Sequence, residues 1–414
     1  MDFSSFFVSR SLDGNLIIVL PLFCFISLFI KMSKVRIWKQ DPNESVKSFR
    51  LAFVATRIKD GPRDSLVEIV GLSDVVRGNK HGDFIFDETE GYEQLDAIHT
   101  FTVVRQIMTI YQRALWRIGK EKPLSWQWGP EKPIKINIHA GIDVGSAYSR
   151  SEQGIKFFQA KSNGKILLTS RSYEIVAHEV GHAVLDSLRP GYWGSWQPQT
   201  SALHESFADI AAILTTISQL EQCEYLVAQS KANLRDKTFF HNVAEEIIEI
   251  LYGGNLGFRS ADNDLTLRDD VGDDIYDLSR VFTGAFYDIL AEIFEDVRNP
   301  ELRNDAELLF KLGEHMTSLL VEALLRGPPQ NATFKDIADL MISLEKNRKW
   351  KSIIRSNFGK RAVLGRYHVK APKSPVEVSW KKCRCCLSTK EHLKAVEVGT
   401  LRKQNCMPCK PTIY

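Results

Sequence analysis

Five residues, His178-Glu179-Val180-Gly181-His182, constrain this chain more than any other stretch. Two histidines four apart on a helix share one face, close enough for a single metal ion to take a nitrogen from each. Glu179 comes directly after the first histidine, where a helix would aim it at a water on that ion. Apolar residues continue the pattern, and a loop rich in Gly, Pro and Trp then covers residues 189–200. A second amphipathic stretch begins at Ser201, and in it Glu205 and Asp209 are again four apart. Both carboxylates sit among Phe207, Ala208, Ile210, Ala211 and Leu214, which argues for burial. A buried carboxylate needs a partner, and a metal is one. His178, His182 and Glu205 make a two-histidine, one-glutamate set with an open fourth position, a known arrangement for catalytic zinc. Asp209 is spaced to accept the other ring N–H of a ligand histidine.

This pattern resembles the thermolysin-like zinc metallopeptidases, and in weaker form the resemblance extends over residues 84–340. It implies an α+β fold of two lobes, a mixed β/α lobe over residues 34–215 and an all-helical lobe over residues 216–350. It also implies that His178, His182 and Glu205 hold zinc, that Glu179 is the general base, and that Asp209 orients His178. The strand after Gly145 resembles the family's edge strand, where a substrate peptide adds through main-chain hydrogen bonds. Ser146 and Ala147 would touch that peptide, although the family usually has Asn where Ser146 stands. By the same resemblance Arg259 would bind a substrate carbonyl. Trp196 and Tyr276 fall where the family carries a tyrosine and a histidine that steady the oxyanion. Both can donate a hydrogen bond, but removing one such donor can cost roughly 100- to 1,000-fold in rate. Two readings therefore stand: a zinc endopeptidase, and a zinc-holding pseudopeptidase that binds peptides or a partner without cutting. Relatives bind calcium with acids like the run from Asp262 to Asp274. Thr216 replaces a family calcium ligand, so calcium is not expected.

Hydrophobic content of 44% and charged content of 25% are those of a globular chain. The net charge of +3 is unevenly spread. Residues 346–414 hold 18 Lys or Arg against three Glu and no Asp, together with five of the seven cysteines. Cys383-x-x-Cys386 and Cys406-x-x-Cys409, with 19 residues between the pairs, have the spacing of a four-thiolate structural zinc knuckle. Residues 351–414 thus read as a separate basic tail, with disulfides as the rival pairing of its thiols. Contact of that tail with nucleic acid or an anionic membrane is a third functional reading.

At the other end, residues 1–33 hold an apolar run, 16–30, whose 15 residues fall short of the ~20 that span a membrane. Membrane anchor, export signal and a soluble start at Met32 all remain open. Lys31, Lys34 and Arg36 favour a cytosolic side for the chain beyond the run. Between the ends, alternation predicts strands at residues 49–54, 65–70, 134–139 and 154–158. Helical spacing predicts helices at residues 92–118, 219–249, 279–297, 301–325 and 333–344.

Overall fold

The structure is a computed structural model that describes residues 8–10, 16–18, 32–38, 49–54, 56–87, 92–143, 145–162, 165–236, 242–243, 259–268, 271–272 and 274–365. Strands β1 (Val8–Arg10) and β2 (Leu16–Ile18) pair antiparallel. Strands β3 (Ser33–Trp38) and β4 (Phe49–Val54) form a second antiparallel pair, with Lys34 opposite Phe53 and Arg36 opposite Leu51. Alternation buries one face of that pair, through Val35, Ile37, Ala52 and Val54. The larger sheet has four strands in the order β5 (Val67–Val70), β6 (Ile134–Asn137), β8 (Gly154–Phe157), β7 (Ser146–Ser149). The first three run parallel, and β7 closes the edge antiparallel to β8. A hairpin of β9 (Gln159–Ser162) and β10 (Lys165–Leu168) leads on to the helices.

Helix α1 (Tyr92–Arg117) is long and buries most of its length, from Leu95 to Leu115, between the strands and the later helices. Its Asp96 receives a bidentate pair from Arg171, at 2.7 and 2.8 Å, just before helix α2 (Tyr173–Leu188). Burial nevertheless raises the Asp96 pKa, outweighing the guanidinium beside it. Helix α3 (Pro198–Ile217) is buried at every position and packs on both α2 and α5 (Ile275–Val297). An α-helix that leaves no face to solvent belongs in the middle of a core. Around it lie α4 (Leu220–Ser230), α6 (Asp305–Arg326) and α7 (Phe334–Leu344), while α8 (Arg348–Lys360) packs on α5 and α7.

The α+β organisation agrees with the expectation: N-terminal strands with a mixed sheet, then a largely helical C-terminal part. Several element ends differ, for local reasons. The helix expected at residues 219–249 stops at Ser230, because Lys231 and Ala232 take left-handed backbone at φ 50° and 61°. Residues 242–243 form instead a short strand, β11 (Asn242–Val243), paired with β12 (Arg259–Ser260). Helix α5 starts at Ile275 rather than at residue 279, because the Asp274 side chain accepts from the N–H groups of Tyr276 and Asp277. Asn304 does the same for α6, which starts at Asp305 rather than at residue 301. Helix α8 crosses residue 350 and buries Ile353, Ile354 and Phe358, so the helical packing continues to the end of the described chain at residue 365. No helix among the described residues is long and apolar enough to cross a membrane. Residues 19–30 of the apolar run and the whole cysteine-bearing stretch, with Cys383, Cys386, Cys406 and Cys409, lie outside the described residues.

Candidate metal centre

Three ligand candidates reach one point because two helices come unusually close. Gly181 lies between the histidines on α2, and a Cβ there would stand 2.9 Å from both Ala208 Cα and Ala211 Cβ of α3. Only a residue without a side chain permits that approach. It carries Glu205, on the facing side of α3, to the two imidazoles. His178 and His182 expose 2% and 3% of their surface and Glu205 1%. Among the described residues these three form the one set of His, Cys, Asp or Glu donors close enough to share an ion, their ligand atoms all within 4.8 Å of one another.

The donor separations test the fit to zinc. Ligands about 2.0–2.1 Å from a tetrahedral ion stand about 3.3–3.4 Å apart. The two Nε2 atoms are 3.1 Å apart. Glu205 turns one oxygen to each imidazole, with Oε2 3.7 Å from His178 Nε2 and Oε1 3.7 Å from His182 Nε2. The nitrogen pair lies close to the tetrahedral value, the two Glu205 edges run to different oxygens, and one donor from each residue lies within 4.8 Å of the others; imidazoles with a carboxylate suit zinc among other metal ions.

The groups around the ligands fix their tautomers. His178 Nδ1 stands 2.9 Å from Asp209 Oδ1. A proton on that nitrogen leaves the Nε2 lone pair for the ion. His182 Nδ1 stands 3.0 Å from His204 Nδ1. For His182 to offer Nε2 to a metal, its Nδ1 must carry the proton and His204 must accept it. His204 is suited to accept: burial, with Arg150 and His178 adding to it, depresses its pKa to about 3, so the ring is neutral near pH 7. It lies roughly parallel to His182 and edge-on to Trp193. Sequence reasoning missed His204. Its position next to a candidate ligand was the available signal.

Glu179 is held more firmly than a free base would be. Its Oε1 accepts from the Ser146 hydroxyl at 2.8 Å and its Oε2 from the Tyr148 backbone N–H at 2.8 Å. Strand β7 therefore runs along α2 and is tied to it again further on. Tyr148 donates its hydroxyl to Asp186 at 2.6 Å, and Arg150 gives Nε to the same oxygen at 2.8 Å. Asp186 lies four residues beyond His182, so it continues the ligand face of the helix. Burial and the Asp186 charge push the Tyr148 pKa up, which keeps the phenol a donor. Sequence reasoning missed Tyr148, Arg150 and Asp186 as well, since nothing in one strand announces which helix it will meet.

The expected substrate contacts are placed unevenly. Ser146 is buried against Glu179, and Ala147 is half-buried on the edge strand. Trp196 is half exposed, whereas Trp193 of the same loop packs edge-on to Tyr148, with ring centroids 5.0 Å apart. Tyr276 is half-buried in the first turn of α5. That turn lies beside the ligand helix, because Ser206 donates to the Ser279 carbonyl at 2.9 Å. Arg259 opens β12, and its side chain is outside the described part of the structure. Of the acids considered for calcium, Asp274 caps α5 and Asp262 faces Arg235 at 3.7 Å, while Asp269, Asp270 and Asp273 lie outside the described residues. Thr216 donates to its own helix, to the Ala212 carbonyl.

Fold and site together define an α+β protein with a buried His178–His182–Glu205 cluster able to hold one metal ion. No protein-family model matches the chain, and no curated protein matches it in sequence.

Proposed function

We propose that the chain is a zinc-dependent endopeptidase of the thermolysin-like type. The observation that carries this reading is the convergence of His178, His182 and Glu205, whose ligand atoms lie within 4.8 Å of one another, with a glutamate directly after the first histidine. When bound there, zinc supplies Lewis acidity and lowers the pKa of a water it holds to about 7. His178 and His182 each present an Nε2 lone pair, oriented by Asp209 and His204 through their Nδ1 atoms. Glu179, steadied by Ser146 and the Tyr148 N–H, takes the proton from the attacking water and passes it to the leaving amine. Tyr276 and Trp196 assist the oxyanion, Arg259 a substrate carbonyl, and a peptide lies along the edge strand at Ser146 and Ala147.

A second reading also has support: a zinc-holding pseudopeptidase that binds a peptide or partner without cutting it. Both Glu179 oxygens are already engaged, and the ligands are 1–3% exposed. Such a carboxylate serves equally as the tie between β7 and α2.

Glu179→Gln separates the two. The amide oxygen still accepts from Tyr148, so zinc content and thermal stability stay close to the parent's. Under the peptidase reading, cleavage of a mixed peptide library falls by at least about 100-fold. Equal cleavage by parent and variant removes Glu179 from the chemistry. A parent that holds zinc, binds peptides and cuts none establishes the pseudopeptidase.

A further inference from the structure

The β3–β4 pair carries a feature that the metal centre does not account for. Its outward face holds Leu51 and Phe53, 64% and 63% exposed, and Met32, 57% exposed, directly precedes β3. Large apolar side chains gathered like this on a monomer's surface mark a place of contact. The register sets cations among them, because Lys34 lies opposite Phe53 and Arg36 opposite Leu51 on the same face. Arg36 rests over the Phe49 ring, 4.4 Å from its centre.

Where this pair begins, a hollow of about 540 Å³ opens beside it, lined by Ser33, Arg57, Lys59, Lys80 and His81 among others. Asp60 is the acid in its lining, and its carboxylate is already engaged by Arg77 at 3.4 Å and the Gly78 N–H at 3.2 Å. The hollow shares no lining residue with the metal centre. An anion is the ligand that such a wall favours.

We propose that this face and the hollow together dock the protein on an anionic lipid bilayer, with Met32, Leu51 and Phe53 entering the interface and the hollow taking a headgroup phosphate. A bilayer surface is the occupant that answers both features, since it offers an apolar boundary beneath a layer of negative charge. The protein's own apolar run at residues 16–30 carries no charged residue, so covering the face with it would leave the cations unanswered. The proposal does not depend on the activity of the metal centre.

The test uses the full chain with sedimentation on phosphatidylcholine vesicles, with and without phosphatidylserine. The parent should prefer the anionic vesicles, and added salt should weaken the binding. Lys59→Gln with Lys80→Gln should lower the partition about 25-fold, about fivefold for each cation removed near the surface. Leu51→Ser with Phe53→Ser should lower it at least about tenfold, from lost apolar burial. The apolar run is present in every variant, so these differences report the face alone; unchanged circular dichroism and metal content show that the variants fold. The proposal fails if the parent binds neither vesicle or binds both equally. It also fails if both double variants bind as the parent does, which would assign binding to the run. Loss of a dimer in the Leu51/Phe53 variant, with vesicle binding intact, would make the face a contact between copies.

Discussion

At the scale of single residues, the centre depends on which nitrogen of each histidine carries a proton. The Asp209 carboxyl oxygen 2.9 Å from His178 Nδ1 can accept its proton, so it sets one tautomer directly. His204 sets the other, and it does so as a neutral ring. These two partners make separable predictions. Asp209→Ala should weaken zinc binding about 10- to 100-fold, as losses of such supporting partners do. His204→Leu should weaken it by a similar factor, because a leucine side chain cannot accept the His182 proton. In His204→Asn the side-chain oxygen occupies nearly the place of the ring Nδ1 and can still accept, so affinity should stay within a few-fold of the parent. Competition with a chromophoric chelator measures all three. Equal affinities for the Leu and Asn variants would show that His204 acts by packing alone. The histidine pair and Glu205 were legible from spacing, because a helix maps four residues onto one face. His204 was not, because whether its side chain turns toward His182 depends on how α3 is rotated against α2.

At the scale of elements, the site is a consequence of how closely α2 and α3 pack. Glycine inside a helix costs roughly 0.5–1 kcal/mol relative to alanine. On helix propensity alone, Gly181→Ala should therefore stabilise the protein. The position argues the reverse. The added Cβ would lie 2.9 Å from Ala208 Cα, which is backbone and cannot turn aside, and as close to Ala211 Cβ. Overpacking of this kind typically costs about 1–3 kcal/mol. We expect Gly181→Ala to lower the urea midpoint and to weaken zinc binding as well, because α3 carries Glu205 away from the imidazoles as it yields. Adding Ala211→Gly should recover part of both. A variant more stable than the parent would mean that the helices tolerate separation. The order of strands and helices was largely readable from periodicity, and the ends were set by caps that a periodicity count does not weigh, such as Asp274 and Asn304. The tie between β7 and α2 through Glu179 and Asp186 was unreadable, since it joins residues more than 30 apart.

At the scale of the whole molecule, burial of titratable groups sets the acid limit of the fold. His99 lies on α1 with no exposed surface, and burial, helped by the Arg50 charge, depresses its pKa to about 3. His204 is depressed to about the same value. An unfolded chain holds each at its ordinary pKa of about 6.5. Below that pH the unfolded state binds protons that the native state refuses, so stability falls as the solution is acidified. The stability attached to each ring is present in full above about pH 6.5 and is lost progressively down to about pH 3. Between pH 7 and pH 5 the loss is about 2 kcal/mol for each histidine, at 1.36 kcal/mol per pH unit. His204 adjoins the candidate metal centre, so His99 offers the cleaner measurement. His99→Leu keeps a buried side chain of similar bulk and removes one proton from the balance. Urea unfolding of parent and variant at pH 7 and pH 5, both freed of metal, reads the difference. The parent should lose about 2 kcal/mol more than the variant over that interval. Parallel losses in the two chains would mean that His99 takes up its proton in the folded protein, and that α1 opens to water before the core unfolds.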